Sequence, residues 1–593
     1  MFAISGGASL HLIDSIARHP EVTYICPQHE QAGAMAADAY ARVTRHLGAA
    51  LSTSGPGATN MITGVCCAYY DSVPVIYITG QVASFRLKRD TGSRQVGFQE
   101  TDVVAMFRPI TKYAVLVDDP MRIRYELEKA CSMAQAGRPG PVVIDLPDDV
   151  QRVEIHPEEL ESFDPEPEVR EAGVSAQQLE ECVRLLQQAE RPVIILGWGI
   201  RLGRADDPAK AFVEQLGFPG VPTWAMLDFL PSDHPLVVGA FGTHGTRYGN
   251  FAVQNADLIV AIGARLDTHE AGSPLSSFAR EAKKIIVDID AAELEKFPRF
   301  GMPVDVPIRA HARAFLLAAL ERLQRGFAPR DVASWKRRIA DWKARYPVCP
   351  PSYDDDQDVN PYVFVKILAQ ESAEGDTLFL DTGCAVAWMM QAFEFKRGQR
   401  CFHAFNNTPM GYGLPASIGA SIALGLKPVT LVAGDGSLQM NIQELATVIQ
   451  HRLPIKILLI NNHGYSMIQQ TQDQWFDGRH EASSVPSGLA FPDWVKVAEA
   501  YGFKTVTIDR RDHLRERLRE VLRSRDAVFC NVEIQPSRRV IPQVKFGRPI
   551  EDAEPLLDRE EFFRNMIVTP LDVSKTPMPA PPVTITSSLG VGT

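Results

Sequence analysis

The sequence predicts an α/β protein with three doubly wound parallel-sheet domains and a C-terminal tail. Short continuous apolar runs alternate with helix-like stretches, the pattern of strands covered on both faces. Two polar, Pro-rich stretches interrupt that alternation. The chain, at 593 residues and 45% hydrophobic, is long enough for several cores.

In the first domain (1–153), residues 22–26, 49–53, 73–79 and 141–145 read as buried strands, and the Ala-rich stretch 30–42 as a helix. A linker is expected over 154–173, where Glu158, Glu159, Asp164, Pro165, Glu166, Pro167 and Glu168 cannot bury a core. The central domain (174–330) takes its strands from 192–197, 258–263 and 284–290. A second linker (331–360) leads to the third domain (361–536). The tail (537–593) has no hydrophobic periodicity and includes the Pro-rich run 577–582, so a flexible or draped end is expected.

The formal charge of −11 is dispersed, which argues against a nucleic-acid partner. No run of about 18 apolar residues could span a bilayer, and the N-terminus lacks the basic and apolar regions of a signal peptide. Nine scattered cysteines without a CxxC pair suggest reduced thiols in the cytoplasm.

The strongest chemical signal is Leu431-Val432-Ala433-Gly434-Asp435-Gly436-Ser437, followed by Asn461-Asn462-His463-Gly464. Asp435 would leave the carboxyl end of a parallel strand, where ligands of open α/β sheets bind. Gly436 would let the backbone approach a phosphate, and Ser437 would open a helix whose amides favour an anion. The strand at 455–460 delivers Asn462 to the same edge. A carboxylate and an amide oxygen beside a phosphate suit Mg²⁺.

This stretch resembles the motif of thiamine-diphosphate enzymes, and Asn441-Ile442-Gln443-Glu444-Leu445-Ala446-Thr447 gives it the style of the acetolactate synthase family. The resemblance implies that Asp435, Asn462 and the Gly464 carbonyl bind the metal, with Gly434, Gly436, Ser437 and Met467 at the cofactor. In Pro409-Met410-Gly411-Tyr412-Gly413, Met410 would wedge between the cofactor's two rings. Cys26-Pro27-Gln28-His29-Glu30 matches the family's activating acid. Glu30 would sit against N1′ of the aminopyrimidine, favouring the imino form that removes the C2 proton. Ser54-Gly55-Pro56-Gly57-Ala58-Thr59-Asn60 is a further match, bringing Pro56 and Asn60 to the cofactor. Gly7, Ala8, Phe98 and Gln99 would face substrate. Phe241-Gly242-Thr243-His244-Gly245, Arg265 and Asp290 resemble segments that hold FAD in a structural role. In this family the cofactor lies between the first domain of one subunit and the third of another, which implies a homodimer or homotetramer.

The sequence also departs from the family. Cys384-Ala385 stand where Gln and His are usual near the diphosphate, and Thr471 and His269 where Trp and Arg are usual near the substrate entrance. About six extra residues between Gln81 and Phe98 bring Arg86, Lys88, Arg89 and Arg94. They form either a solvated loop or a clamp for an anionic acceptor, with Arg94 the candidate contact. The expected activity is decarboxylation of pyruvate and transfer of its two-carbon unit to an acceptor carbonyl. Alternatives are a keto-sugar nucleotide acceptor or a cyclic-diketone hydrolase. A non-catalytic regulatory paralogue would have lost Glu30, Asp435 or Asn462, and all three are present.

Overall fold

The computed structural model of the chain describes residues 1–165 and 173–575. It contains three sheets, all parallel. The first joins β1 (Phe2–Ala3), β2 (Gly48–Ser52), β3 (Val75–Gln81), β4 (Tyr113–Leu116) and β5 (Val142–Pro147) in the order β1-β2-β3-β5-β4. The expected strand at 22–26 is reduced to one bridge between Phe2 and Ile25, because Val22 and its neighbours are exposed.

The central sheet joins β6 (Pro192–Leu196), β7 (Gly220–Pro222), β8 (Leu258–Ile262), β9 (Lys283–Asp288) and β10 (Val306–Arg309) in the order β10-β9-β8-β6-β7. The third joins β11 (Thr377–Leu380), β12 (Arg400–Phe402), β13 (Val429–Gly434), β14 (Ile455–Asn461), β15 (Lys504–Ile508) and β16 (Val528–Glu533) in the order β12-β11-β13-β14-β16-β15. In these last two sheets the chain first builds outward on one side and then on the other. Each therefore has a topological switch point, between β6 and β8 and between β11 and β13, where open sheets form ligand crevices.

The described residues group into two compact units, one drawn from Met1–Glu171 and Pro351–Arg539, the other from Ala172–Pro350 and Val540–Thr593. In the first unit the helix Glu30–Thr44 packs on the helix Gly413–Ala423 so closely that a Cβ on Gly419 would lie 2.1 Å from the Ala36 carbonyl. Below this contact Arg42, 3% exposed, pairs with Asp38 at 2.7 Å and Asp71 at 2.8 Å, and the Tyr412 hydroxyl donates to Asp38 at 2.6 Å.

In the second unit two segments differ from expectation. The stretch 331–360 contains the helix Ala333–Arg345, which buries Trp335 and Trp342 in the central core. The tail through residue 575 also belongs to that core, burying Ile550, Ala553 and Phe562. It is held by polar anchors: Asn250 Nδ2 donates to Ile550 O at 2.7 Å, and Asn255 Oδ1 accepts from Ile567 N at 2.6 Å. Such anchoring leaves no apolar period to read. The run 577–582 and residues 166–172 of the first linker lie outside the described residues.

Among the described residues no helix is long and apolar enough to cross a membrane. All nine cysteines are free thiols.

Candidate active site

The third sheet brings Asp435 and Asn462 together through its register. Gly434 pairs with Ile460, so the chain leaves β13 and β14 at the same level. Asp435 is 1% exposed; its Oδ1 accepts the Gly436 amide at 2.6 Å and its Oδ2 accepts the Gly464 amide at 3.3 Å. Burial raises its pKa to about 6, disfavouring the charged form, which a nearby cation would favour. Asn462 Nδ2 donates to Ser466 Oγ at 2.8 Å, which leaves Oδ1 as the acceptor on the other side of the amide.

Across the switch point, β11 is followed by Asp381, whose carboxylate accepts the amides of Gly411 at 3.1 Å and Gly413 at 2.9 Å. The next residues, Thr382 and Gly383 (φ 94°), open the helix Cys384–Ala392. A Cβ added to Gly383 or Gly434 would meet nothing within 4 Å, whereas one on Gly436 would strike the Tyr465 ring at 2.1 Å. The strand ends thus border open space beside a tight floor. Ser437 Oγ reaches back to the Thr382 carbonyl at 3.4 Å. This cradle, with its oxygen donors, fits a diphosphate held through a hard cation. Burial pushes the Cys384 thiol to about 12, so it is neutral there.

Met410 lies over Gly436, its methyl 3.3 Å from where a Cβ would stand. Its position is set by Gly411, whose carbonyl accepts from Asn441 Nδ2 at 2.7 Å. Met467 is half-buried in the helix Ser466–Trp475 that follows Gly464. Thr471 of that helix bonds only within it, to the Met467 carbonyl at 3.1 Å.

Glu30 opens the long helix of the first domain and is half-buried. Asn60 Nδ2 donates to its Oε2 at 2.9 Å, and Oε1 faces Gly57, 3.4 Å from the Cβ position there. Asn60 closes the short helix that Pro56 begins. Gly55 (φ 59°) abuts the Gln99 carbonyl, which would be 2.7 Å from a Cβ, and Gln99 itself takes φ 64°. Gln99 thus joins the Pro56 loop. Gly7 and Ala8 reach the carboxyl end of β3, where a Cβ on Gly80 would lie 2.1 Å from Ala8 O. Phe98 is 85% exposed and Arg94 is exposed. The basic insert is organised by Glu100, which closes the Phe98-Gln99-Glu100 stretch. Its carboxylate accepts the amides of Lys88, Val96 (2.8 Å) and Gly97 (3.1 Å).

Asp381 and Tyr465 were missed in the sequence. Asp381 follows an apolar strand and precedes Thr-Gly, the same signal that marked Asp435.

The central switch point has a different character. Buried Trp198 Nε1, Trp224 Nε1 and Arg265 Nε, each just past a strand end, have no hydrogen-bond partner among the described residues. Donors without acceptors fit a ligand rich in oxygen and ring nitrogen, such as a dinucleotide. Gly242 (φ 105°) lets Thr243 N reach His269 O at 2.8 Å. His244 Nδ1 and His269 Nε2 share a hydrogen bond at 3.0 Å, and Gln543 from the tail reaches His244 Nε2 at 3.0 Å. Burial lowers His244 to about 3, so the pair is neutral. Asp290 caps the helix after β9, accepting Ala292 N at 2.9 Å.

Each of the three α/β domains matches a domain of thiamine pyrophosphate enzymes. The N-terminal TPP binding domain matches 1–106, the central domain 179–319 and the C-terminal TPP binding domain 381–532. The probable acetolactate synthase large subunit of Methanocaldococcus jannaschii is 35% identical over 95% of this chain and 94% of its own. Acetolactate synthase isozyme 3 large subunit of Escherichia coli is 33% identical over 92% and 94%. The chloroplastic acetolactate synthase 2 of Nicotiana tabacum is 32% identical over 93% and 82%. The chain belongs to the acetolactate synthase large-subunit family of thiamine-pyrophosphate-dependent enzymes.

Proposed function

We propose that this acetolactate synthase-like enzyme decarboxylates pyruvate and joins the two-carbon unit to a second pyruvate, using thiamine diphosphate held through Mg²⁺. The relatives' names favour this acceptor over a keto-sugar nucleotide or a cyclic diketone. The observation that carries the reading is the switch point of the third sheet. There buried Asp435, Asn462 and Gly464 adjoin an open cradle, with Met410 above Gly436.

In this reading Asp435, the Asn462 Oδ1 and the Gly464 carbonyl hold the cation, and Gly434, Gly436 and Ser437 border the diphosphate. The bound cofactor supplies the electron sink for losing CO₂ and carrying the remaining carbons. Glu30 holds a proton toward the aminopyrimidine; because Asn60 donates to Oε2, that proton belongs on Oε1. Met410 sets the angle between the rings, and Pro56, Asn60, Gln99 and Met467 line the cofactor. Gly7, Ala8, Phe98 and Arg94 are the proposed substrate side. FAD, placed by Gly242, Thr243, His244, Arg265 and Asp290, is proposed as a structural cofactor of the central domain. The unpaired donors there support it.

The domain limits 1–153, 174–330 and 361–536 are proposed as functional divisions. A homodimer or homotetramer is proposed as well. The resemblance supports it, as do exposed Phe85 and Phe98, although Glu30 and Asp435 already share one compact unit within the chain. Free cysteines support a reducing, cytoplasmic setting.

The test is CO₂ release from pyruvate with thiamine diphosphate and Mg²⁺, with and without FAD, and product mass. Acetolactate is expected, with turnover abolished in a folded Glu30→Gln variant. No CO₂ under any condition would overturn the donor assignment.

A further inference from the structure

The turn that carries Asn462 and Gly464 is held from the neighbouring strand. β16 lies beside β14 with Glu533 opposite Asn461, and the Ile534 amide donates to the Asn461 carbonyl at 2.9 Å. There β14 ends, and His463 takes φ 55°, a backbone region that residues with side chains rarely adopt. Such a turn keeps one shape only when its surroundings hold it. The Glu533 carboxylate supplies that hold. Its Oε1 accepts from Asn461 Nδ2 at 3.0 Å, and its Oε2 accepts from His463 Nε2 at 2.9 Å. One side chain thus ties the residue before Asn462 to the residue after it. Asn531 Nδ2 also donates to Oε1, at 2.7 Å, which fixes the carboxylate from its own strand. A carboxylate only accepts, so Asn461, Asn531 and His463 must each turn a nitrogen toward it. Gly464, the next residue, donates its amide to Asp435 Oδ2 at 3.3 Å.

We propose that Glu533 is a positioning residue for the metal, its carboxylate holding Asn461 and His463 so that the Asn462 side chain and the Gly464 carbonyl keep one spacing from Asp435. This rests on the reading of Asp435, Asn462 and Gly464 as the cation's ligands. All of these residues come from strand ends of the third sheet, so the device is complete within that domain. Glu533 is not itself a ligand in this reading; it acts through the chain on both sides of Asn462. Hydrogen bonds to an ionised carboxylate are stronger than neutral ones, which suits them to hold a turn in a rare conformation. Losing a residue that orients a metal's ligands typically costs about 10- to 100-fold in metal affinity.

The test compares the wild type with Glu533→Gln, His463→Ala and Asp435→Asn. The first readout is the Mg²⁺ concentration that half-saturates thiamine diphosphate binding, by calorimetry. The second is amide hydrogen exchange over 461–466 by mass spectrometry, without cofactor, and the third is kcat at saturating Mg²⁺. Glu533→Gln keeps the shape and one acceptor and loses the charge. Its half-saturating Mg²⁺ concentration should rise about 10-fold, with kcat at saturating Mg²⁺ within about twofold of the wild type. Amide exchange over 461–466 should be faster. A residue that served only the stability of the fold would lower the thermal midpoint and leave the Mg²⁺ requirement unmoved. His463→Ala, at a half-exposed ring, should raise the requirement less and add almost nothing in a Glu533→Gln background. A wild-type Mg²⁺ requirement in Glu533→Gln, or full additivity of the two substitutions, would overturn the proposal. Should Glu533→Gln not fold, a wild-type requirement in His463→Ala overturns it. Asp435→Asn should abolish Mg²⁺-dependent binding; if it left the requirement unchanged, the reading of the metal site itself would fall.

Discussion

The Asn60–Glu30 hydrogen bond gives a quantitative handle on the proposed acid. Asn60 Nδ2 donates to Glu30 Oε2 at 2.9 Å in a half-buried site, and Asn60 is held at the end of its short helix. Truncation to Ala removes a bond to a charged or proton-sharing carboxyl, worth about 1.5–3 kcal/mol. At about 1.4 kcal/mol per decade, that predicts a loss of roughly 10- to 150-fold in the rate that depends on Glu30 orientation. The assay is C2-proton exchange of bound thiamine diphosphate, with kcat/KM for CO₂ release beside it. Because Asn60 acts through Glu30, the effects should not add: Asn60→Ala in a Glu30→Gln background should cost almost nothing further. Exchange in Asn60→Ala at more than half the wild-type rate would refute the reasoning, as would full additivity of the two substitutions.

Gly436→Ala would drive a Cβ to 2.1 Å from the Tyr465 ring and 3.3 Å from the Met410 methyl. The displacement, about 1–3 kcal/mol for overpacking, should weaken thiamine diphosphate binding about 5- to 150-fold by calorimetry. Arg42→Leu would strand Asp38 and Asp71 in a dry site. Breaking such a pair costs about 3–5 kcal/mol, read as a lower denaturant midpoint, with Arg42→Lys losing less. Asp145 is 1% exposed and raised to about 7 by burial, against bonds from Thr79 and Gln81. Its folded pKa lies above its unfolded one, so its contribution to stability is full in acid. That contribution is lost as pH rises toward about 7. The thermal midpoint should therefore fall between about pH 4 and 7, with a smaller fall in Asp145→Asn.

The parts of the site governed by one strand end were legible in the sequence. An apolar run, a carboxylate and a glycine place Asp435 at a sheet edge, and the spacing to the second strand places Asn462 beside it. Parts made by distant pairing were not legible. Glu444 stands in the stretch 441–447 that carries the resemblance, and nothing near it announces a partner 416 positions away. Trp335, Trp342 and the ordered tail were hidden for a related reason. Their burial depends on single anchors such as Trp342 Nε1 to Asn565 Oδ1 at 2.9 Å, and single anchors leave no period. The strand expected at 22–26 failed because apolar composition does not reveal which of two neighbouring runs reaches the sheet; Phe2–Ala3 does.

The two switch points show how one topology can serve opposite chemistries. Both are crevices at the carboxyl ends of parallel strands, with glycines that let strand-end loops approach. At β11/β13 the protein offers acceptors, namely Asp381, Asp435 and Asn462. Asp381 spends its oxygens on the amides of Gly411 and Gly413, and Asp435 accepts those of Gly436 and Gly464. A crevice of that kind suits a cation, in keeping with the proposed Mg²⁺. At β6/β8 the protein offers donors, Trp198 Nε1 and Arg265 Nε, beside Trp224 Nε1 from the end of β7. That crevice needs no metal to take a ligand rich in acceptors. The proposal of a second, structural nucleotide site rests on this difference in side-chain polarity, because the backbone topology is common to both.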